Sequence, residues 1–365
     1  MQASAIRGGA ALLSLLLSLA WTGALAAEVK LGIVASAQSD PLVSSLKDSP
    51  SLKSLQIDVA VLPLSTDLDA LEAALKGETD LSAFTLDALT QLKSDNRPQL
   101  APILAQPFQF ASSLELFKVE DTPFGEAVLA DVNRTGLFPL AFWNRGLSEI
   151  VTKHLVQGLE DFKMKGLKVA TQSESGKSML SAIGVPSTIL PPNEMYSALR
   201  KGAVDASETE PYRSFYGYAS PVDPSRPTQG PERLSLIAGF RPLVGVLVAS
   251  PTFWIGLTEE KRQALAEAAD SASQISRKAV LSNEESTPKG GTMGNVTYIS
   301  LNREQTEHLR SISNAVYGEK VGKTLAERQI NLLDKAKATT PTHPGKKRPN
   351  WTRSFRSSVC NRSEG

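Results

Sequence analysis

Val29-Lys30-Leu31-Gly32-Ile33-Val34-Ala35 and Leu55-Gln56-Ile57-Asp58-Val59-Ala60-Val61, with the helical stretches beside them, decide how this chain folds. The first is the apolar run of a buried strand, ending in the polar turn Ser36–Asp40. The second alternates apolar and polar with period two, which is a strand pattern. Pro41–Leu52 between them reads as a helix. Thr66 or Asp67 then caps another helix, with Leu68, Leu71 and Leu75 on one face and Gly77 as its stop. Strand-helix-strand-helix order predicts a parallel α/β sheet. Ligands of such sheets bind beyond the carboxyl ends of the strands.

One pattern occurs twice. Ala74-Leu75-Lys76-Gly77-Glu78-Thr79-Asp80-Leu81-Ser82 has a later counterpart in Ala198-Leu199-Arg200-Lys201-Gly202-Ala203-Val204-Asp205-Ala206-Ser207. In each, an amphipathic helix meets a Gly able to take positive φ. With two residues between, an Asp opens a short strand. Similar units in both halves suggest two domains whose binding edges face one cleft, although such turns also recur in any α/β protein.

Further along, Leu167–Ala170 and Thr188–Leu190 read as strands. Pro191-Pro192-Asn193-Glu194 opens a helix to Lys201, with Pro well placed in a first turn. Leu243–Ala249 is a buried strand. Thr258-Glu259-Glu260 caps a long helix toward Asn283, whose Ala264, Leu265, Ala268, Ala269, Ala272 and Ile275 form one apolar stripe. Residues 284–294 read as a loop, Val296–Leu301 as a strand, and Arg303–Lys337 as helix with breaks at Gly318 and Gly322.

Composition narrows the function classes. The chain has 365 residues, with 39 Lys+Arg against 38 Asp+Glu, so it lacks the basic excess of a nucleic-acid-binding domain. A single Cys, Cys360, rules out a disulfide framework, and three scattered His make a multi-His metal site improbable. Arg7, the apolar run from Ala10 to Ala20 and Ala24-Leu25-Ala26 make a secretory signal peptide over 1–27, against the alternative of an uncleaved anchor. Residues 339–365 carry six basic residues, one acid and three Pro with no apolar period, and read as a basic disordered tail. Without these ends, residues 28–338 carry a net charge of about −5.

Catalytic patterns are weak. Strand Leu167–Ala170 runs into Thr171-Gln172-Ser173-Glu174-Ser175-Gly176-Lys177-Ser178, the phosphate-loop pattern with its first Gly replaced by Thr171. Glu174 would oppose a polyanion there. A milder reading survives, in which N–H groups at that helix start hold a carboxylate. Neither G-x-S-x-G nor H-E-x-x-H occurs.

The central third carries a family pattern. It comprises Phe142-Trp143-Asn144-Arg145-Gly146-Leu147, then Leu159-Glu160-Asp161-Phe162-Lys163-Met164-Lys165-Gly166-Leu167-Lys168-Val169, then Asn193-Glu194-Met195-Tyr196-Ser197-Ala198-Leu199 and Gly202-Ala203-Val204-Asp205. Phe253-Trp254-Ile255-Gly256-Leu257-Thr258 follows. In order and spacing this resembles the solute-binding proteins of tripartite ATP-independent periplasmic (TRAP) transporters, over residues 29 to about 335. The resemblance implies an α/β two-domain periplasmic-binding-protein fold with a central cleft and a long helix spanning both domains. Domain I would comprise 28–148 plus 238–281, and domain II 149–237 plus 282–338. It also implies a periplasmic protein without enzymatic activity or cofactor. Such a protein catches a small solute, usually a carboxylate or sugar acid, and delivers it to membrane permease subunits. A ligand sensor without a transport role, or a periplasmic hydrolase, are the competing readings.

The departures bear on the solute. Where the family has an Arg that forks a ligand carboxylate, this chain has Ala170, and Thr209 replaces a usual Asn. Either the solute lacks a carboxylate, or Arg145 or Lys177 substitutes. Candidate ligand-binding residues are Trp143, Arg145, Gln172, Glu208, Thr209, Phe108 and Phe84. For each, a purely structural role competes: core packing for the aromatics, a salt bridge for Arg145, a loop for Gln172 and a cap for Glu208. Tyr212, Phe215, Tyr216 and Tyr218 form an aromatic run that reads as hinge packing.

Overall fold

Strand β1 (Ala27–Val34) places Val29, Leu31 and Ile33 in the core, and β2 (Ile57–Leu64) pairs with it in parallel. These coordinates are a computed structural model that describes residues 27–92, 96–211 and 233–339. The signal-like segment before Ala27, the tail after Thr339 and the aromatic run Tyr212, Phe215, Tyr216 and Tyr218 lie outside them. Between β1 and β2 the expected single helix is two, α1 (Pro41–Lys47) and α2 (Pro50–Ser54). Pro50 explains the break, because it starts a helix but cannot continue one. Thr66 then caps α3 (Asp67–Lys76) through a reciprocal capping box with Asp69. Gly77 ends it in the left-handed region, and β3 (Leu81–Thr85) follows.

The repeated pattern is one corner built twice. The Asp80 N–H donates to the Lys30 carbonyl at 3.0 Å, while the Lys30 N–H donates to Asp80 Oδ2 at 2.8 Å. In the second half, the Asp205 N–H donates to the Lys168 carbonyl at 2.9 Å, and the Lys168 N–H donates to Asp205 Oδ2 at 2.8 Å. Gly77 and Gly202 both have φ of +71°. Each Asp thus pins the chain leaving a helix to the neighbouring strand and starts β3 or β8 (Ala206–Thr209) toward the carboxyl edge of its sheet.

α4 (Ser113–Glu120) and α5 (Pro123–Val132) lead to β4 (Phe138–Leu147), buried along its whole length. The second half holds β5 (Glu149–Thr152), α6 (Leu159–Met164), β6 (Val169–Thr171), α7 (Glu174–Ala182), β7 (Ser187–Ile189), α8 (Pro192–Lys201), β8 and β9 (Leu234–Ile237). The chain then returns through β10 (Pro242–Ala249), α9 (Pro251–Gly256) and α10 (Glu259–Ser286). It ends with β11 (Gly291–Met293), β12 (Val296–Ile299), α11 (Arg303–Val321) and α12 (Lys323–Ala338). One sheet has the order β2-β1-β3-β10-β4 and the other β11-β12-β9-β5-β8-β6-β7.

β1, β2 and β3 pair in parallel, as their strand-helix-strand-helix order predicts, but each sheet also takes up antiparallel strands and is mixed as a whole. β10 runs antiparallel to β3 and β4, and β5 antiparallel to β8 and β9. The cause is topological: the chain leaves the first sheet at Ser148 and re-enters it after Ile237, travelling the other way. The two crossings touch. The Ser148 N–H donates to the Arg241 carbonyl at 2.7 Å, and the Phe240 N–H donates to the Ser148 carbonyl at 2.8 Å.

α10 is about 42 Å long at 1.5 Å per residue. Its Ala264, Leu265, Ala268, Ala269 and Ala272 pack on the first sheet, and its far end delivers the chain to β11 in the second. Helix through Ser286 and strand β11 occupy most of the stretch expected to be loop. Of the two breaks expected after Arg303, only Gly322 interrupts the helix, at φ +95°. α12 brings Ala326, Leu333 and Ala336 into the core of the first sheet's lobe.

Candidate functional site

The strand ends of the two sheets face one another. β1 leads to Asp40, whose carboxylate caps α1 by accepting the Leu42 N–H at 2.8 Å. β2 leads to Asp67, and β3 to Thr85 and Asp87. From the second sheet, β6 leads to Thr171–Ser175, and β8 ends in Glu208, Thr209 and Glu210. Arg145 stands near the end of β4, and Arg241 immediately before β10. This is the edge at which open α/β sheets bind ligands.

Several ties join the two sides, the Arg241–Glu208 pair among them. Ser175 Oγ donates to Asp87 Oδ1 at 2.7 Å. Arg145 holds Glu210 Oε1 at 2.5 Å with Nη1 and Asp67 Oδ2 at 3.5 Å with Nη2, and its guanidinium lies 4.6 Å from the Trp143 ring centroid. Thr85 Oγ1 also donates to Asp67 Oδ2, at 2.8 Å. Burial would depress the Arg145 pKa, but Glu210, Asp67 and Asp40 together push it up. The guanidinium is therefore a fixed charge joining acids from both lobes.

A second cluster forms around Glu208, which is fully buried. Its Oε2 accepts from Thr171 Oγ1 at 2.5 Å and from the Gln172 N–H at 3.1 Å. Its Oε1 lies 2.6 Å from Arg241 Nε. Arg241 is 2% exposed, and its Nη1 has no hydrogen-bonding partner. Burial pushes the Asp87 carboxyl up, while Arg241 and Ser175 pull it part of the way back.

Of the residues expected at the site, Trp143, Arg145, Gln172 and Glu208 lie at these clusters. Thr209 is buried beside them, its hydroxyl donating to the Glu210 carbonyl at 3.3 Å. Phe84 lies in the core of the first lobe with Leu71 and Phe142. Phe108 meets Phe240 edge to face, with centroids 5.6 Å apart, and its N–H donates to the Phe240 carbonyl at 3.0 Å. Lys177 is exposed. Asp87, Glu210 and Arg241 escaped the sequence reading, which took Asp40, Asp67 and Ser175 only as parts of a turn, a helix cap and the loop before α7. The three Asp each follow a strand end by a few residues, which the carboxyl-edge rule marks. Arg241 is the lone charge in the run Leu234–Ala249, a signal in itself.

Asp40 makes the acid balance measurable. Burial raises its pKa from 3.8 to about 6, against the lowering effects of the Leu42 N–H, Arg145 and Trp143. The folded state then binds the proton more tightly than the unfolded one. The associated stability is complete below pH 4 and is lost as pH rises to about 6. Asp40→Asn keeps the cap and removes the titration. The variant should match wild type below pH 4 and exceed it at pH 8 by up to about 3 kcal/mol, as read from thermal midpoints across pH.

Comparison with known proteins places this geometry. Residues 56–219 and 236–324 match the family described as bacterial extracellular solute-binding protein, family 7 (DctP). The C4-dicarboxylate-binding periplasmic protein DctP of Rhodobacter capsulatus is 24% identical over 279 residues, covering 74% of this chain and 78% of that protein. A solute-binding protein of Chromohalobacter salexigens is 25% identical over 211 residues, covering 57% and 58%. Among solved structures, a TRAP periplasmic solute-binding protein from Haemophilus influenzae with bound L-gulonate superposes with a TM-score of 0.68 at 17% identity, covering 85% of this chain and 99% of that one. One from Shewanella oneidensis with bound succinate gives 0.65 at 19% identity, covering 84% and 98%.

Proposed function

This chain belongs to bacterial extracellular solute-binding protein family 7, and from that premise we propose that the gap between its sheets captures one small organic solute and hands it to the membrane subunits of a TRAP permease. The protein is a non-enzymatic binder of small organic solutes, as the family is. No helix among the described residues is long and apolar enough to cross a membrane. Handover would be to a partner in the membrane, and export by the N-terminal segment would bring the protein to it in the periplasm.

The observation that carries this reading is that the strand ends of both sheets face one another, with Ser175–Asp87 and Arg145 joining the sides. The lobes proposed to close on the solute are 28–148 with 238–281 and 149–237 with 282–338, α12 crossing back onto the first. Their hinge is the paired crossing at Ser148 and Phe240-Arg241. Trp143, Arg145, Gln172, Glu208 and Thr209 would form the walls, while Phe84 and Phe108 would hold them from behind. Lobe closure is the working motion of such proteins.

A thermal-shift screen of acids, sugars, amides and amines tests the binding function. A true solute at 100 times its Kd adds about 2.7 kcal/mol of stability. It should also lower the radius of gyration in X-ray scattering. A solute that stabilised the protein without any compaction would refute closure as the working motion.

A further inference from the structure

Arg241 sits where the chain crosses from one sheet to the other. It comes shortly after β9, which ends at Ile237, and immediately before β10, which lies antiparallel between β3 and β4. The start of β10 is therefore beside the carboxyl ends of those strands, with Gly245 opposite Thr85 and Pro242 opposite Leu147. That is the edge at which such sheets take ligands. Ser148 fixes the Arg241 backbone from both sides. The Arg241 N–H donates to Ser148 Oγ at 3.3 Å, and the Ser148 N–H donates to the Arg241 carbonyl at 2.7 Å. The guanidinium is thus carried by the crossing itself, and it acts on an acid from each sheet: Glu208 on β8 and Asp87 just after β3.

The buried cation is incompletely used. Neither Nε nor Nη1 of Arg241 has a hydrogen-bonding partner. Nε lies 2.6 Å from Glu208 Oε1 without a hydrogen bond, while Glu208 Oε2 accepts from the Thr171 hydroxyl and the Gln172 N–H. Asp87 Oδ1 accepts from Ser175. Unpaired N–H groups on a buried cation cost free energy that a charged oxygen returns. Arg145 differs. Its Nε is also unpartnered, but Nη1 and Nη2 are held by Glu210 and Asp67, so that guanidinium serves as a tie. Resting on the binding function above, we propose that Arg241 is the residue that takes the carboxylate of an organic-acid solute and sets the preference for acids over their uncharged analogues. Nη1 donates to one carboxylate oxygen in a charge-assisted bond. Glu208 and Asp87 share the Arg241 charge, so the gain lies at the lower end of what such a bond supplies, about tenfold in affinity.

Calorimetric titration with matched probes tests this: D-galacturonate and D-galactose, D-glucuronate and D-glucose, succinate and succinamide. Wild type should bind at least one acid, and bind it more tightly than its uncharged counterpart. Arg241→Gln should weaken that acid about tenfold or more and shrink the preference over the counterpart by the same factor. Glu208→Gln keeps the cation and removes its resident competitor, so it should bind the acid more tightly than wild type does. Both single variants break the same ion pair. A purely structural pair would make them alike, whereas a carboxylate-holding Arg241 makes them diverge. The double variant Arg241→Gln with Glu208→Gln leaves no stranded charge and covers the case in which Arg241→Gln does not fold. It should lose the acid preference as well. A folded double variant that binds the acid as wild type does would overturn the inference and leave the binding function standing. So would a wild type that prefers the uncharged probes, or equal weakening of acid binding by the two single variants. Silence of wild type toward every probe would instead count against the binding function itself, and the inference would fall with it.

Discussion

Arg145→Met should destabilise the protein by about 3–5 kcal/mol, the cost of removing one partner from a buried ion pair. The guanidinium is the common counter-ion of Glu210 and Asp67 and also faces Asp40. Methionine replaces much of its length and its contact with Trp143, so packing alone contributes little to the loss. The carboxylates left behind would regain part of the energy by taking up protons. The destabilisation should therefore be larger at pH 8 than at pH 5, which is opposite to a loss of packing, where pH has no influence. Because one of these acids belongs to each lobe, the variant should also scatter X-rays as a larger particle. Thermal midpoints at both pH values and a radius of gyration check this. A pH-independent loss below about 1 kcal/mol would mean that the tie contributes nothing, as many exposed pairs do.

Arg277→Met should have an effect of the same size from the middle of α10. There the guanidinium binds Glu120 Oε2 at 2.5 Å and Asp121 Oδ1 at 2.8 Å. Glu120 is buried, and Asn144 Nδ2 also donates to the same oxygen, at 3.0 Å. Asn144 is in turn fixed by the Ser276 hydroxyl, which donates to its carbonyl at 2.8 Å. The network fastens α10 to the end of α4 and to β4, one residue from Arg145. Removing Arg277 alone strands a buried carboxylate, at about 3–5 kcal/mol. The double variant Arg277→Met with Glu120→Met should recover most of that loss, because a well-packed apolar pair often equals a buried ion pair. Chemical denaturation of the two single variants and the double variant reads the coupling. Additive losses would show that the two side chains stabilise the fold independently.

These ties explain what was legible in the sequence and what was not. The helix caps at Thr66 and Thr258 and the corners at Gly77–Asp80 and Gly202–Asp205 are local, so residue type and spacing were sufficient. The family pattern around Trp143 and Gly166 likewise lies within short segments. Arg145 was visible as a residue of interest, but its acids come from positions 67 and 210, and no spacing rule joins them. The antiparallel return of β10 depends on where the chain crosses between sheets, a property of the whole topology. Arg241 could have been noticed as the one charge in an apolar run, yet its meaning rests on Glu208 reaching it from another strand. The helix α10 extended beyond its expected end because Glu284 accepts from the Ser113 N–H and hydroxyl on α4, a contact across 171 residues of sequence.

Native mass spectrometry of the protein mixed with the neutral, acidic and amine probes tests most directly whether it holds one solute and leaves it unaltered. One adduct per chain is expected, its mass equal to that of the free solute, and the compound released on denaturation should be chemically unchanged. A product of altered mass, or no adduct with any probe, would contradict a non-enzymatic capture of solute between the two sheets.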